Sequence, residues 1–205
     1  MNIIKHIITI SISIILFSFL INTAQAAGDP IALLQSISNN MITGLKANKA
    51  TLKTNPQVVY KLAYRYVVPY ASLPEMSRRV LPPQIWSTAT PAQRAQFQKE
   101  FTRTLVRTYA SALTSYSDQT IKFYPIRGNY QNASSVVVNS QIVSSETQPI
   151  QVSYRLLRIG GSWKLYDLSV EGVSMLESFR SQFASILSQG NMAQLLQKMS
   201  AHNSR

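Results

Sequence analysis

Residues 150–170 have the sequence IQVSYRLLRIGGSWKLYDLSV, and their pattern decides the fold class. Apolar and polar side chains alternate on both sides of Gly160 and Gly161, which is typical of half-buried β-strands. Two glycines between such runs indicate a tight turn, because glycine adopts the positive φ angles that hairpin turns require. The stretch therefore predicts an antiparallel hairpin.

The position of the turn also predicts the register of this hairpin. Centring it on the two glycines places Leu156 opposite Leu165 and Tyr154 opposite Asp167, the one acid on the apolar face. An unpaired carboxylate there would be costly, so Asp167 needs hydrogen-bond donors. We consider two sources, the Tyr154 hydroxyl or backbone amides near Gly172. The apolar side chains of this face are those of Val152, Tyr154, Leu156, Trp163 and Leu165.

Outward from the hairpin, the chain divides into helical and extended parts. Period-two patterns at residues 120–125 and 135–144 add two strands, giving an antiparallel sheet of about four strands. Helical spacing follows Asp29-Pro30, Asn55-Pro56 and Thr90-Pro91, each a good helix start. Further helices are predicted from residue 72, ended by Pro82-Pro83, from Ser174, and near the C-terminus. The predicted fold is an α+β domain in which helices and sheet form a cone.

The first residues indicate export. Lys5 and His6 precede an apolar stretch over residues 7–21, and Ala24-Gln25-Ala26 provides the small residues of a cleavage site. This order predicts a signal peptide over residues 1–26, cleaved after Ala26, although an uncleaved anchor is the alternative. Residues 27–205 would then form a single domain, and we expect it in the periplasm. The chain contains no cysteine, so its core alone must stabilise it.

The charge of the chain limits its partners. Removal of residues 1–26 takes away one of the 20 basic residues and none of the 8 acidic ones, which leaves +11. Such a charge attracts anionic surfaces, and export argues against nucleic acid. Anionic phospholipid or an acidic protein is the more natural partner, and solubility alone is the alternative. Five basic residues are candidates for electrostatic docking, namely Arg78, Arg79, Arg94, Lys99 and Arg103.

Groups for covalent chemistry are scarce in the predicted mature chain. Its one histidine is His202, near a terminus that we expect to be disordered, and the acids are scattered. We therefore expect no catalytic residues, no metal site and no cofactor. An acid/base pair of Asp167 and Tyr154 inside a cavity remains the enzymatic alternative.

A resemblance to a known family adds to this interpretation. Residues 163–174, WKLYDLSVEGVS, and the FRSQF at residues 179–183 resemble the motifs of the MlaC, or toluene-tolerance, family of periplasmic phospholipid-binding proteins. Trp86, Phe97, Phe101, Leu105 and Tyr109 are similar to that family's long central helix.

The resemblance implies a fold distantly like that of nuclear transport factor, with an apolar pocket for acyl chains. It implies a monomeric carrier that moves glycerophospholipid between membrane transport complexes and maintains outer-membrane lipid asymmetry. The implied partners are an outer-membrane lipoprotein–porin complex and an inner-membrane ABC transporter with an MCE-domain subunit. From the inward phase of each element, we predict a pocket lined by Tyr109, Val152, Tyr154, Leu156, Trp163, Leu165, Val173, Met175 and Phe179.

Two other classes of function remain open at this point. One is a lipid-modifying hydrolase on the same cone-shaped scaffold. The other is a basic adaptor that binds a membrane complex or an anionic surface and has no cavity.

Overall fold

The computed structural model describes residues 28–116, 118–145 and 148–204. The predicted signal peptide, residues 1–26, lies outside them. The helices are α1 Pro30–Ala47, α2 Gln57–Tyr66, α3 Leu73–Val80, α4 Pro83–Thr88, α5 Pro91–Thr114, α6 Met175–Leu187 and α7 Met192–Asn203, with a 3₁₀ turn at Val68–Tyr70. The strands are β1 Thr120–Phe123, β2 Ser135–Val143, β3 Ile150–Ile159, β4 Ser162–Val170 and β5 Val173–Ser174.

Two of the predicted helix starts, at Asp29 and Thr90, follow the capping chemistry that the sequence indicates, whereas α2 begins at Gln57 after Pro56 without a side-chain cap. The Asp29 carboxylate accepts a hydrogen bond from the amide of Ile31 at 2.9 Å, and Thr90 forms a reciprocal capping box with Gln93. The helix from residue 72 ends at Val80, before Pro82-Pro83, as predicted, and Pro83 opens an additional helix, α4, because proline suits the first turn of a helix. The expectation of a disordered end was wrong at His202, which lies in α7.

The five strands form one antiparallel sheet in the order β1-β2-β3-β4-β5. The α+β class is confirmed, and the sheet has one strand more than the expected four. The additional strand is β5, whose two residues pair Val173 with Val170 and Ser174 with Ser169. A period-two pattern cannot reveal so short a strand.

The other part of the β4 edge is covered by the segment before α3. The Ser72 amide donates to the Leu165 carbonyl at 2.7 Å, and Ala71 pairs with Leu165 in parallel orientation. Together with β5, this contact covers two parts of the outer edge of β4, which would otherwise present unpaired amides and carbonyls.

The buried side chains fall into three clusters. The sheet cluster joins one face of β2, β3 and β4 to Leu34 of α1. The helical cluster lies among α3, α5, α6 and α7, and a third cluster joins α1, α2 and α5. In the helical cluster, the ring of Phe101 lies 5.6 Å from Phe97, 5.4 Å from Phe179 and 5.7 Å from Phe183. The first pair is stacked and the other two are edge-to-face, and both arrangements are favourable at these distances.

Asp167 connects the sheet to the helical part of the fold. Its carboxylate accepts hydrogen bonds from the Ser174 hydroxyl at 2.7 Å, the Leu168 amide at 2.9 Å and the Leu176 amide at 3.1 Å. Its side chain is buried, and the Arg155 guanidinium lies 3.7 Å away. Of the two donor sources considered above, the backbone amides near Gly172 are therefore the ones that the structure shows. The Ser174 hydroxyl is a further donor.

A tight turn brings these donors together. Glu171 and Gly172 have φ angles of 48° and 81°, so the chain reverses in two residues between β4 and β5. Glycine adopts this conformation without strain, whereas Glu171 does so at a cost. The Asp167 contacts therefore fix where α6 begins relative to β4.

We predict that Asp167→Asn lowers the free energy of unfolding by about 1–3 kcal/mol, because an amide replaces a buried acceptor that serves three donors. Chemical denaturation measures the change. Glu177→Gln is the matched control, since Glu177 lies in the first turn of α6, is 68% exposed and forms an ion pair with Arg180 at 3.5 Å. Equal stability of the two variants would contradict the connecting role of Asp167.

Candidate functional site

The inner face of the hairpin brings together five of the predicted site residues. Val152, Tyr154, Leu156 and Trp163 are buried in the sheet cluster, and Leu165 packs against it partly exposed. The Arg158 guanidinium covers the Trp163 ring at 4.7 Å. These side chains therefore form one apolar surface on β3 and β4.

The register of the hairpin is only partly as predicted. Leu156 lies opposite Leu165, as expected, but Tyr154 lies opposite Leu168 and Asp167 lies opposite Arg155. The shift occurs between Arg155 and Leu156, where Tyr166 is the extra residue of a β-bulge. The predicted pairing of Tyr154 with Asp167 is therefore wrong, because one inserted residue moves Asp167 to the opposite face.

Tyr154 is part of the apolar wall. Its hydroxyl oxygen accepts from the Ser140 hydroxyl at 3.4 Å, and its ring centroid lies 5.7 Å from that of Phe123. Burial raises the pKa of Tyr154, and the hydrogen bond with Ser140 partly offsets the rise. The hydroxyl therefore remains neutral at physiological pH.

Met175, Phe179 and Tyr109 belong to a different part of the structure. Phe179 is buried in the helical cluster, and Met175 packs against that cluster. The Tyr109 ring lies 6.4 Å from the Phe179 ring and is 37% exposed. Burial, and then the charge of Asp167, raise the pKa of Tyr109.

Val173 lies at the surface. It is 65% exposed, although its pairing with Val170 places it on the same face of the sheet as Val152. The physical reason is that β5 is a two-residue edge strand, beyond which the sheet does not continue.

A row of valines connects the buried face to this open edge. Val152 pairs with Val170, and Val170 pairs with Val173, so the three residues are cross-strand neighbours. Their exposed fractions rise from 3% to 38% to 65%. The apolar surface of the sheet therefore reaches solvent at β5, directly before Met175 and the start of α6.

Two grooves lie elsewhere, along α5. The first lies between α2 and α5 and has a volume of about 680 Å³, the second has a volume of about 620 Å³, and Tyr64 and Arg103 line both. None of the nine predicted site residues lines either groove. The sequence feature that could have indicated this region is the i,i+4 spacing of Lys61 with Arg65 and of Arg103 with Arg107. The site prediction did not use this spacing.

Most of the predicted docking cations have partners within the chain. Arg78 and Arg79 bind the Glu75 carboxylate at 2.7 and 2.6 Å, and the Arg78 hydrogen bond is the main cause that lowers the pKa of Glu75. Arg94 donates to the Trp86 carbonyl at 3.0 Å and lies over the Trp86 ring. The two Glu75 pairs therefore lie within α3, whereas the Arg94 contacts hold the start of α5 against α4.

Within residues 28–116, 118–145 and 148–204, no group of three or more histidine, aspartate or glutamate side chains could hold a metal ion. In the same ranges, no helix has the length and hydropathy needed to cross a membrane.

Comparison with known proteins agrees with the motif at residues 163–183. Residues 35–201 match the family described as MlaC protein. The toluene tolerance protein ttg2D of Pseudomonas putida is 31% identical over 78% of this chain and 73% of its own length. The intermembrane phospholipid transport system binding protein MlaC of Haemophilus influenzae is 29% identical over 92% of this chain and 89% of its own.

A solved structure extends the likeness to the fold. The phospholipid-binding protein from Ralstonia solanacearum, determined in complex with a phospholipid, superposes with a TM-score of 0.79 at 29% identity. The match covers 86% of this chain and 98% of that protein. The chain belongs to the MlaC family of phospholipid-binding transport proteins.

Proposed function

We propose that this protein carries a glycerophospholipid across the periplasm and holds its acyl chains against the inner face of the sheet. The observation that carries the proposal is the row Val152, Val170 and Val173, along which a buried apolar surface opens to solvent. An exposed apolar strip continuous with a core is a common entry point for an apolar ligand. The structural relative from Ralstonia solanacearum, which binds a phospholipid, supports the same assignment.

The proposed site joins two structural units. The hairpin contributes one wall, formed by Val152, Tyr154, Leu156, Trp163 and Leu165. The start of α6 and the middle of α5 contribute a second surface, formed by Met175, Phe179 and Tyr109 on the side of the sheet that Asp167 faces, and Val173 lies at the edge between the two. The 37% exposure of Tyr109 and the 65% exposure of Val173 place both side chains where a ligand could cover them.

The free energy of apolar transfer suits a carrier. Removing two chains of about 15 methylenes each from water is worth about 24 kcal/mol at ~0.8 kcal/mol each, which is an upper bound. Escape into water would therefore be very slow. Transfer into a bilayer or another apolar site exchanges one apolar environment for another, so the lipid can move at a docking complex without covalent chemistry.

The proposed cellular role follows from the family. Residues 1–26 would direct the chain to the periplasm and be removed after Ala26, and residues 27–205 would act as a single monomeric lipid-binding domain. The partners would be an outer-membrane lipoprotein–porin complex and an inner-membrane ABC transporter with an MCE-domain subunit. Exchange between them would maintain outer-membrane lipid asymmetry.

The alternative of a lipid hydrolase receives less support from the geometry. Its acid/base pair required Tyr154 beside Asp167, and the β-bulge separates these residues onto opposite faces. The Asp167 carboxylate is occupied by three donors that fix α6. We therefore propose a carrier that has no catalytic residues and needs no cofactor beyond its lipid cargo.

We predict that the protein purified gently from a Gram-negative periplasm retains phospholipid. Native mass spectrometry should show a species heavier than the bare chain by one phospholipid, because loss of the acyl chains into water is unfavourable. Lipid extraction followed by mass spectrometry identifies the cargo. A homogeneous ligand-free mass would contradict carriage, and lysolipid or free fatty acid in place of phospholipid would favour the hydrolase.

We predict that Val173→Glu loses most of the bound phospholipid, because a carboxylate at the open end of the apolar row must be desolvated when the tails bind. The fold should be changed by about 1 kcal/mol or less, since the position is exposed. Val137→Glu is the matched control. Val137 is 48% exposed on β2 and pairs with Arg155, on the face opposite the apolar row.

The readouts are phospholipid content per protein and thermal melting for both variants. Retention of lipid by Val137→Glu together with its loss from Val173→Glu places the ligand at β5. Equal lipid content in the two variants would remove Val173 from the site.

A further inference from the structure

The groove between α2 and α5 has a composition that sets it apart from the apolar site. Its walls carry Lys61, Tyr64 and Arg65 from α2 and Arg103 and Arg107 from α5. We propose that this α2–α5 groove docks an acidic segment of a protein partner. The inference goes beyond lipid binding but rests on the proposed carrier function, since a carrier must recognise the complexes where it loads and unloads.

The groove keeps a positive charge after its internal contacts are counted. Glu100, the acid at its edge, is 5% exposed and is engaged by Arg103 at 3.4 Å and by the Asn203 amide at 2.8 Å. Within the part of the chain that the structure describes, Lys61 and Arg65 form no ion pair with a carboxylate. Both are exposed and lie one helical turn apart on α2.

Contacts from the last helix hold the floor of the groove in place. Arg107 donates to the Asn203 carbonyl at 3.4 Å, and the Asn203 amide donates to the Glu100 carbonyl at 2.9 Å. These bonds connect α5 to the C-terminal end of α7. A surface fixed before binding loses less conformational entropy when a partner docks.

The walls are suited to a polypeptide as well as to charge. Tyr60, Tyr64 and Val106 line the groove between the cations. The adjoining cavity of about 620 Å³ shares Tyr64 and Arg103 and adds Lys99, which extends the positive surface along α5. Tyrosine and arginine are the residues that most often dominate protein–protein interfaces.

The concave shape favours a chain segment over a membrane surface. A bilayer is nearly flat on the scale of one protein, so its head groups would reach the rims of a groove before the side chains within it. An extended acidic segment can lie between the two helices and place alternate carboxylates near Arg65 and Arg103. Electrostatic attraction of this kind accelerates encounter and sets the orientation of docking.

The test is equilibrium binding of a short fluorescein-labelled peptide that alternates Glu and Leu, measured at physiological ionic strength. A Lys–Leu peptide of equal length is the probe control. The groove variant is Lys61→Glu with Arg65→Glu, and the matched control is Lys122→Glu with Arg127→Glu. The control residues are exposed on and after β1, outside both grooves, and both variants change the net charge equally.

We expect the groove variant to weaken Glu–Leu binding about tenfold or more, and the control variant to weaken it about threefold or less. Lys61→Gln with Arg65→Gln repeats the comparison should the charge-reversed protein fail to fold. Equal weakening by groove and control variants would overturn the inference, because binding would then follow net charge alone. Unchanged peptide binding in the groove variant would overturn it as well.

Binding to phosphatidylcholine vesicles that contain phosphatidylglycerol tests whether the groove binds a membrane instead. Loss of vesicle binding in the groove variant with peptide binding retained would assign the groove to a membrane and overturn the inference. Phospholipid content is measured separately on each protein. A parent protein without phospholipid would end the carrier proposal, while the peptide comparison would still decide whether the groove binds acidic chains.

Discussion

The buried carboxylate of Asp167 is the contact on which the arrangement of this domain depends. Its three hydrogen bonds reach the Leu168 amide in β4, the Ser174 hydroxyl in β5 and the Leu176 amide in α6. A buried carboxylate that lost these donors would carry a large desolvation penalty, so its presence favours one relative position of strand and helix. That position determines where the helical cluster meets the sheet. It also leaves the two-residue strand β5 at the edge, where the apolar row becomes exposed.

The buried residues are separated into clusters, and the sheet cluster and the helical cluster are distinct. The valine row leads from the sheet cluster to the exposed edge at β5. Charge is located on another surface, between α2 and α5. The proposed lipid contact and the proposed docking can therefore be tested independently by mutation.

Much of the fold could be predicted because local patterns determine it. Alternation around Gly160 and Gly161 gave both long strands and the Leu156–Leu165 pair, and capping residues such as Asp29 and Thr90 marked helix starts. The bulge at Tyr166 could not be predicted, because one inserted residue leaves the alternation almost unchanged while it reverses the face of Asp167. The exposure of Val173 depends on where the sheet ends, which is a tertiary property. The α2–α5 groove depends on how two helices distant in sequence pack, and periodicity within each helix does not contain that information.

The most direct test of lipid carriage is to locate the acyl chains on the protein. A phosphatidylcholine with a photoreactive diazirine near the end of one acyl chain would be loaded, irradiated and mapped by peptide mass spectrometry. Carriage at the proposed site predicts cross-links on the inner face of β3 and β4, at Val170 or Val173, and near Tyr109 or Phe179. Cross-links confined to the groove between α2 and α5, or spread evenly over the surface, would contradict it.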